Sequence, residues 1–137
     1  MRNSQQFSWP IRVYYEDTDA GGVVYHSNYL NFMERARTEW LRAMGFEQTA
    51  LKDNLGVIIV IHSVSIVFKS PARLNDAVMV HCKLVKAEHA SIKMTQIITR
   101  DGVQLVEAQV KAVFVDVVSF KPVSIPLLIK AAMFDLN

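Results

Sequence analysis

"SNYLNFMERARTEWLRAMG", residues 27–45, decides how the rest of the chain is arranged. Tyr29, Phe32, Met33, Ala36, Trp40 and Met44 recur at the three- and four-residue spacing of one helix face. Ser27 or Asn28 suits the start as a cap, and Gly45 suits the stop. Arg35 and Glu39 lie four residues apart on the other face, an expected ion pair. The helix is about 17 residues long, or roughly 25 Å at the helical rise per residue. A stripe of that length has to be buried against another layer.

The flanking sequence reads mostly as strand. "FSWPIRVYY" (7–15) is extended, with Pro10 pointing to an edge or a strand start. Residues 47–54 add a short helical turn. After Gly56 the period becomes two, with His62, Val64, Ile66 and Phe68 alternating with Ser63, Ser65, Val67 and Lys69. "KSPARLND" (69–76) is a connection. Val78, Val80, Cys82 and Leu84 mark a third strand, and Ile92, Met94 and Ile98 a fourth. "RDG" (100–102) is a hairpin signal. Val106, Ala108, Val110, Ala112 and Phe114 mark the last strand, and residues 125–135 a short terminal helix.

One long helix among five strands, four of them consecutive, predicts an α+β fold with a largely antiparallel sheet curved around the helix. Ala108 and Ala112 on the inward face of the last strand would let the helix approach closely. Residues 1–137 read as one domain, without linker, repeat or low-complexity segment.

Composition narrows the function class. The chain is 51% hydrophobic and 20% charged, which suits a real core and argues against disorder. Its net charge of +2 comes from scattered Lys and Arg, so nucleic acid is not an expected partner, whereas an anionic small ligand is compatible. Cys82 is the single cysteine, which excludes an internal disulfide and fits a reducing compartment. No signal-peptide core or membrane-length apolar run is present. The expectation is a cytoplasmic protein without an integral membrane segment, peripheral association being compatible.

Ahead of the helix stands "YYEDTDAGGVVYHSNY" (14–29). Its acids, Glu16, Asp17 and Asp19, suit turn and cap positions, and Asp19 equally suits catalysis. Glu16 reads as a solvated strand-end residue, and Asp17 as a loop-shaping one. The Asp17–Thr18–Asp19–Ala20 run with Gly22, Val23, Val24, Tyr25, His26 and Tyr29 resembles the aspartate-dependent 4-hydroxybenzoyl-CoA thioesterase family of the hot-dog fold. Within it, the motif looks like the acyl-CoA thioesterases associated with the bacterial Tol-Pal system. "NFMERART" (31–38) and "FKSPARLND" (68–76) also fit, so the resemblance covers nearly the whole chain.

The resemblance implies a hot-dog fold and hydrolysis of an acyl-CoA or acyl-carrier thioester to acid and thiol. It implies that Asp19 is the catalytic carboxylate, as nucleophile or as general base on water. Backbone amides at the helix start would hold the oxyanion. Gly22, Val23 and Tyr25 are candidate substrate-binding positions through their backbone. The amide at or just before His26 would point at the thioester oxygen, and His26 would add a donor or tune Asp19. Chemistry agrees that few other nucleophiles are on offer: no Gly-x-Ser-x-Gly elbow occurs, and Cys82 falls at an apolar strand position, where plain core is expected. His62, His81 and His89 read as ordinary strand or turn residues.

No cofactor or metal is expected, because metal-ligand spacings such as His-Glu-x-x-His are missing. Lys69 and Arg73 suit either a rim for the anionic CoA or carrier arm, or plain solvated surface. The run "VIIVI" (57–61) suits burial between subunits, and the resemblance implies a homodimer or homotetramer with its site at the subunit boundary. A role in lipid or envelope metabolism follows from the resemblance. Two other readings are a non-catalytic module that binds an acyl ligand or acyl carrier protein, and a metal-dependent hydrolase.

Overall fold

The computed structural model describes residues 5–134. Its elements are β1 (Gln6–Arg12), a 3-10 turn (Tyr15–Asp17), α1 (Asn28–Ala43), α2 (Gln48–Leu55), β2 (Val57–Phe68), β3 (Ala77–Ala87), β4 (Ser91–Arg100), β5 (Val103–Asp116) and α3 (Leu127–Phe134). The terminal helix expected over 125–135 is thus observed as α3, residue 135 lying outside the described residues. The five strands form one antiparallel sheet in the order β1-β3-β4-β5-β2. This is the α+β hot-dog arrangement, with α1 as its long helix.

The apolar stripe of α1 folds as its spacing demands. Tyr29, Phe32, Met33, Ala36, Trp40 and Leu41 are buried in one core with the inward rows Val78–Val80–Cys82–Leu84 of β3 and Val106–Ala108–Val110–Ala112–Phe114 of β5. The helix ends in a Schellman motif. Gly45 adopts φ 97°, its N–H donates to the Arg42 carbonyl, and the Phe46 N–H donates to the Leu41 carbonyl. Glu39 pairs with Arg42 three residues on, rather than with Arg35; the Arg35 guanidinium lies over the Phe32 ring, 5.9 Å from its centroid.

Gln96 is fully buried in the middle of the sheet, between Cys82 on β3 and Ala108 on β5. A buried amide must find partners, and its partners are the helix. Its Nε2 donates to the Met33 carbonyl at 3.0 Å and to Cys82 Sγ at 3.2 Å, while its Oε1 accepts from Arg37 Nη1 at 2.9 Å. The small side chain of Ala108 leaves room for this approach.

Four strands depart from simple alternation. β3 shifts register between Leu84 and Lys86, and β5 does so opposite the Ile98–Thr99 step of β4. β2 carries a bulge between Ile61 and Ser63, so His62 is the extra residue and does not share a face with Val64, Ile66 and Phe68 as the alternation implied. Ile61, Val64 and Ile66 stand opposite Ala112, Val110 and Ala108, the inward row of β5. β1 stops at Arg12, short of Tyr15. Val13 continues beside the 75–76 segment through Val13 N–H to Asp76 O and Asn75 N–H to Val13 O, and the next residues wind into the 3-10 turn. The β4–β5 hairpin turns on Asp101 (φ 51°) and Gly102 (φ 79°), the two positive angles that a type I′ turn requires.

The 68–76 connection is clamped to the sheet. Arg100 Nη1 reaches Asp76 Oδ2 at 2.6 Å, and the Arg73 N–H reaches the same oxygen at 2.8 Å. Desolvation alone would raise the Asp76 carboxyl, but the Arg73 amide and the Arg100 guanidinium outweigh it and hold it below its ordinary value.

Two outcomes follow from these contacts. Gln96→Met keeps the volume but strands the Arg37 donor and the bonds to α1, and should lower unfolding free energy in urea titrations by about 1–3 kcal/mol. The depressed Asp76 value implies a contribution complete above the ordinary carboxylate pKa of about 3.9 and lost as pH falls through the folded value. Asp76→Asn should therefore lower the melting temperature at neutral pH, with the gap to wild type closing in acid.

Candidate active site

The loop between β1 and α1 is built around Asp17, a carboxyl only 5% exposed. Its Oδ2 accepts the Tyr14 N–H at 2.8 Å and its Oδ1 accepts Asn28 Nδ2 at 2.7 Å. One side chain thus ties the end of β1 to the first residue of α1. Asn28 acts as this strut rather than as a cap, and Ser27 makes no side-chain cap bond. Glu16 is exposed on the 3-10 turn.

Asp19 opens the next turn. Its carbonyl accepts the Gly22 N–H at 3.1 Å, its N–H donates to the Val23 carbonyl at 2.9 Å, and Gly22 takes φ 78°. The carboxylate Oδ1 accepts the Gly21 N–H at 2.8 Å. A Cβ added at Gly21 would lie 3.2 Å from that oxygen, closer than an ordinary contact, so glycine there lets the carboxylate sit over the backbone. Among the described residues Oδ2 has no partner, and the side chain is exposed. A carboxylate steadied by one backbone donor, with its second oxygen open, can act on an electrophile or on water.

Thr18 and Val24 form an isolated bridge, so the turn folds back and passes the chain directly into α1. Of the three backbone positions singled out in the sequence, Gly22 donates to Asp19 O and Tyr25 donates to Asp17 O at 3.0 Å. The amides of Val23, His26, Ser27 and Tyr29 donate to no acceptor among the described residues. The helix start therefore offers free N–H groups, at His26 and Ser27 rather than at Tyr25.

The His26 ring is exposed and makes no hydrogen bond to Asp19 among the described residues. It packs against Tyr25, with ring centroids 4.5 Å apart, and stands edge-on to Phe68 at 6.3 Å. Phe68 also contacts Tyr29 at 5.7 Å. The buried Tyr29 hydroxyl accepts the Ala72 N–H at 2.9 Å, and burial raises its pKa, so it accepts as a neutral phenol. Val23 bridges Arg73, Val24 N–H donates to Ala72 O, and Leu74 N–H donates to Gly22 O. The two motifs, about fifty residues apart, therefore lie side by side. Sequence reading missed Phe68 and the Tyr29 hydroxyl as parts of this neighbourhood, because strand alternation treats the one as wall and helical spacing treats the other as core.

Lys69 Nζ is engaged by Gln104 Oε1 at 2.7 Å and Glu107 Oε1 at 3.0 Å, whereas the Arg73 guanidinium is exposed and makes no hydrogen bond among the described residues. Cys82 is buried, and burial pushes its thiol up to about 11, so it stays protonated at neutral pH and is core. His81 bonds Ser8 and Thr99 across the strands. Among the described residues no group of three or more His, Cys, Asp or Glu is placed to hold a metal ion. Farther along α1, an apolar cavity of about 190 Å³ opens between Trp40 of α1, Met44 just past its end, Ile59 and Ile61 of β2, and Met133 of α3, with Arg37 and Glu34 also in its lining.

Known proteins share this architecture and sequence. The thioesterase-like superfamily matches residues 13–133. The chain is 44% identical to the acyl-CoA thioesterase YbgC of Haemophilus influenzae over 131 residues, covering 96% of each protein. It is 43% identical to the acyl-CoA thioester hydrolase YbgC of an Escherichia coli strain, covering 90% of this chain and 92% of that one. Among solved structures, a probable thioesterase from Bartonella henselae superposes with a TM-score of 0.85 at 32% identity, over 88% of this chain and 99% of that one. The Asp19 turn thus sits in a frame shared with thioester hydrolases, and the chain belongs to the thioesterase-like superfamily.

Proposed function

We infer that this chain is an acyl-CoA thioesterase, a single domain that hydrolyses an acyl-CoA or acyl-carrier thioester to the free acid and thiol. The observation that carries the reading is the open Oδ2 of Asp19 on a turn leading straight into the free amides of the α1 start, in a chain matched over 13–133 by a thioesterase family. The thioester oxygen sits at the His26 and Ser27 amides, where developing negative charge meets N–H groups and the helix dipole. His26 and Phe68 wall the entrance.

Asp19 acts by one of two routes. As nucleophile, its Oδ2 bonds the carbonyl carbon, the C–S bond breaks, the thiolate leaves and takes a proton, and water then cleaves the mixed anhydride. As general base, it takes a proton from water, the hydroxide attacks, and the C–S bond breaks with the same proton ending on the thiol. Arg73 flanks the entrance as a cation for the anionic CoA arm. The acyl chain runs along α1 toward the apolar cavity, whose nearest lining residue, Glu34, is roughly 10 Å along the helix from Ser27 at the helical rise per residue.

The working unit is a homodimer or homotetramer. β2 is a sheet edge whose inward Ile61 and Val64 and end residue Phe68 are exposed in the single chain, and an edge of that kind calls for cover. A cytoplasmic location and a role in lipid metabolism are consistent with the single free cysteine and the substrate class; among the described residues no helix is long and apolar enough to cross a membrane.

Asp19→Asn should reduce kcat for a good acyl-CoA by at least ~100-fold with an unchanged melting temperature. Turnover near the wild-type level in that variant removes the assignment. Gly21→Ala should lower kcat in the same assay by displacing the carboxylate. Rapid-quench single turnover with hydroxylamine separates the routes, since an acyl group is held on Asp19 for trapping only if its carboxylate attacks the thioester. Light scattering should give a mass of at least two chains, with charged substitutions at Ile61 and Val64 producing monomers.

A further inference from the structure

α3 is apolar on both sides. Ile129 and Met133 are buried in the core, yet Leu127 and Leu128 on the outer side are 80% and 73% exposed. Two adjacent leucines this exposed at the start of a helix whose other side is already buried leave an apolar surface without cover. Leu127 and Leu128 share a shallow groove with Phe46, Ala50 and Leu55, so the outer faces of α2 and α3 form one surface.

The loop after β5 extends that surface. Val117 N–H donates to the Gly56 carbonyl at 2.9 Å, which joins the start of this loop to the residue after Leu55. Asp116 Oδ2 accepts the Val118 and Ser119 amides at 3.0 and 2.8 Å, and Phe120 N–H returns to Asp116 O at 2.8 Å. This tight turn holds Phe120 at φ 57°, a conformation strained for a bulky residue, while leaving its side chain 63% exposed. Val118 is 87% exposed at the tip. Strain held by a hydrogen-bonded turn to keep two apolar side chains in solvent points to an outside partner.

The charges around the patch select that partner. Lys121 follows Phe120, Lys130 lies three residues from Leu127 on the same helix face, and Lys52 lies three residues from Leu55. All three are exposed, and none forms an ion pair among the described residues. The nearby acids are occupied or stand at a different position around the helix. Glu47 is near Arg42 at 3.5 Å, Asp116 accepts backbone amides, and Asp53, two residues from Leu55, does not share its face. A two-fold contact with a second copy would bring like charges together, whereas anionic headgroups would meet each lysine.

We propose that the surface formed by Leu55, Val118, Phe120, Leu127 and Leu128, rimmed by Lys52, Lys121 and Lys130, docks the protein on an anionic lipid surface. The apolar side chains enter the acyl boundary and the lysines stay at headgroup level. The inference is independent of the thioesterase reading.

Co-sedimentation tests it with the full chain and two vesicle types: phosphatidylcholine alone, and phosphatidylcholine with an equal part of phosphatidylglycerol. The protein should bind the mixed vesicles, and added salt should weaken binding. The quadruple variant Val118→Ser, Phe120→Gly, Leu127→Ser, Leu128→Ser should lose at least ~5-fold in bound fraction, as should Lys121→Glu with Lys130→Glu. Glycine at 120 accepts the positive φ, and an unchanged circular dichroism spectrum and melting temperature check that folding is intact. Wild-type protein staying in the supernatant with both vesicle types overturns the proposal, as does equal binding by the variants. A smaller particle mass for the quadruple variant also overturns it, by making the patch a contact between copies.

Discussion

The buried carboxyl of Asp17 holds the functional end of the molecule together. A polar group taken out of water must be matched by donors, and the available donors lie on either side of it in the chain: the Tyr14 amide at the end of β1 and the Asn28 side chain at the start of α1. Satisfying both draws the intervening residues into a compact loop. Once the loop is closed, the Asp17 carbonyl takes the Tyr25 amide, and the Asp19 turn projects beside the helix start.

The other support of this end comes from the sheet. The 68–76 segment follows the end of β2, where Phe68 faces Tyr29 and His26, and is clamped at its far end by Arg100 to Asp76. Between these points Ala72 and Arg73 run alongside Val23 and Val24. The Asp19 loop is therefore held through backbone contacts to a segment that is itself tied to the sheet. Its own exposed side chains, Asp19 and His26, remain uncommitted to structure apart from the Gly21 amide and ring packing.

Deeper in the core, Gln96 plays the matching part for the middle of the helix. Apolar packing against a smooth sheet leaves a helix some freedom to slide, whereas three directed bonds from one amide fix its position. The small Ala108 beside it and the Schellman stop at Gly45 serve the same placement.

Much of this was legible in the sequence for local reasons. The stripe from Tyr29 to Trp40 specifies a helix and its buried face, alternation specifies β3 to β5, and Asp101–Gly102 specifies the hairpin, because each depends on residues a few positions apart. The solvated position of Glu16 and the loop-shaping place of Asp17 were also legible from the motif. What tertiary structure decided are pairings between distant residues. Alternation alone could not reveal the bulge at His62, which re-phases β2 through its partners on β5. Helical spacing could not show that Tyr25 spends its amide on Asp17 or that Gln96 reaches Met33. Each of these is settled by which donor lies nearest once the chain has closed, a quantity that exists only in three dimensions.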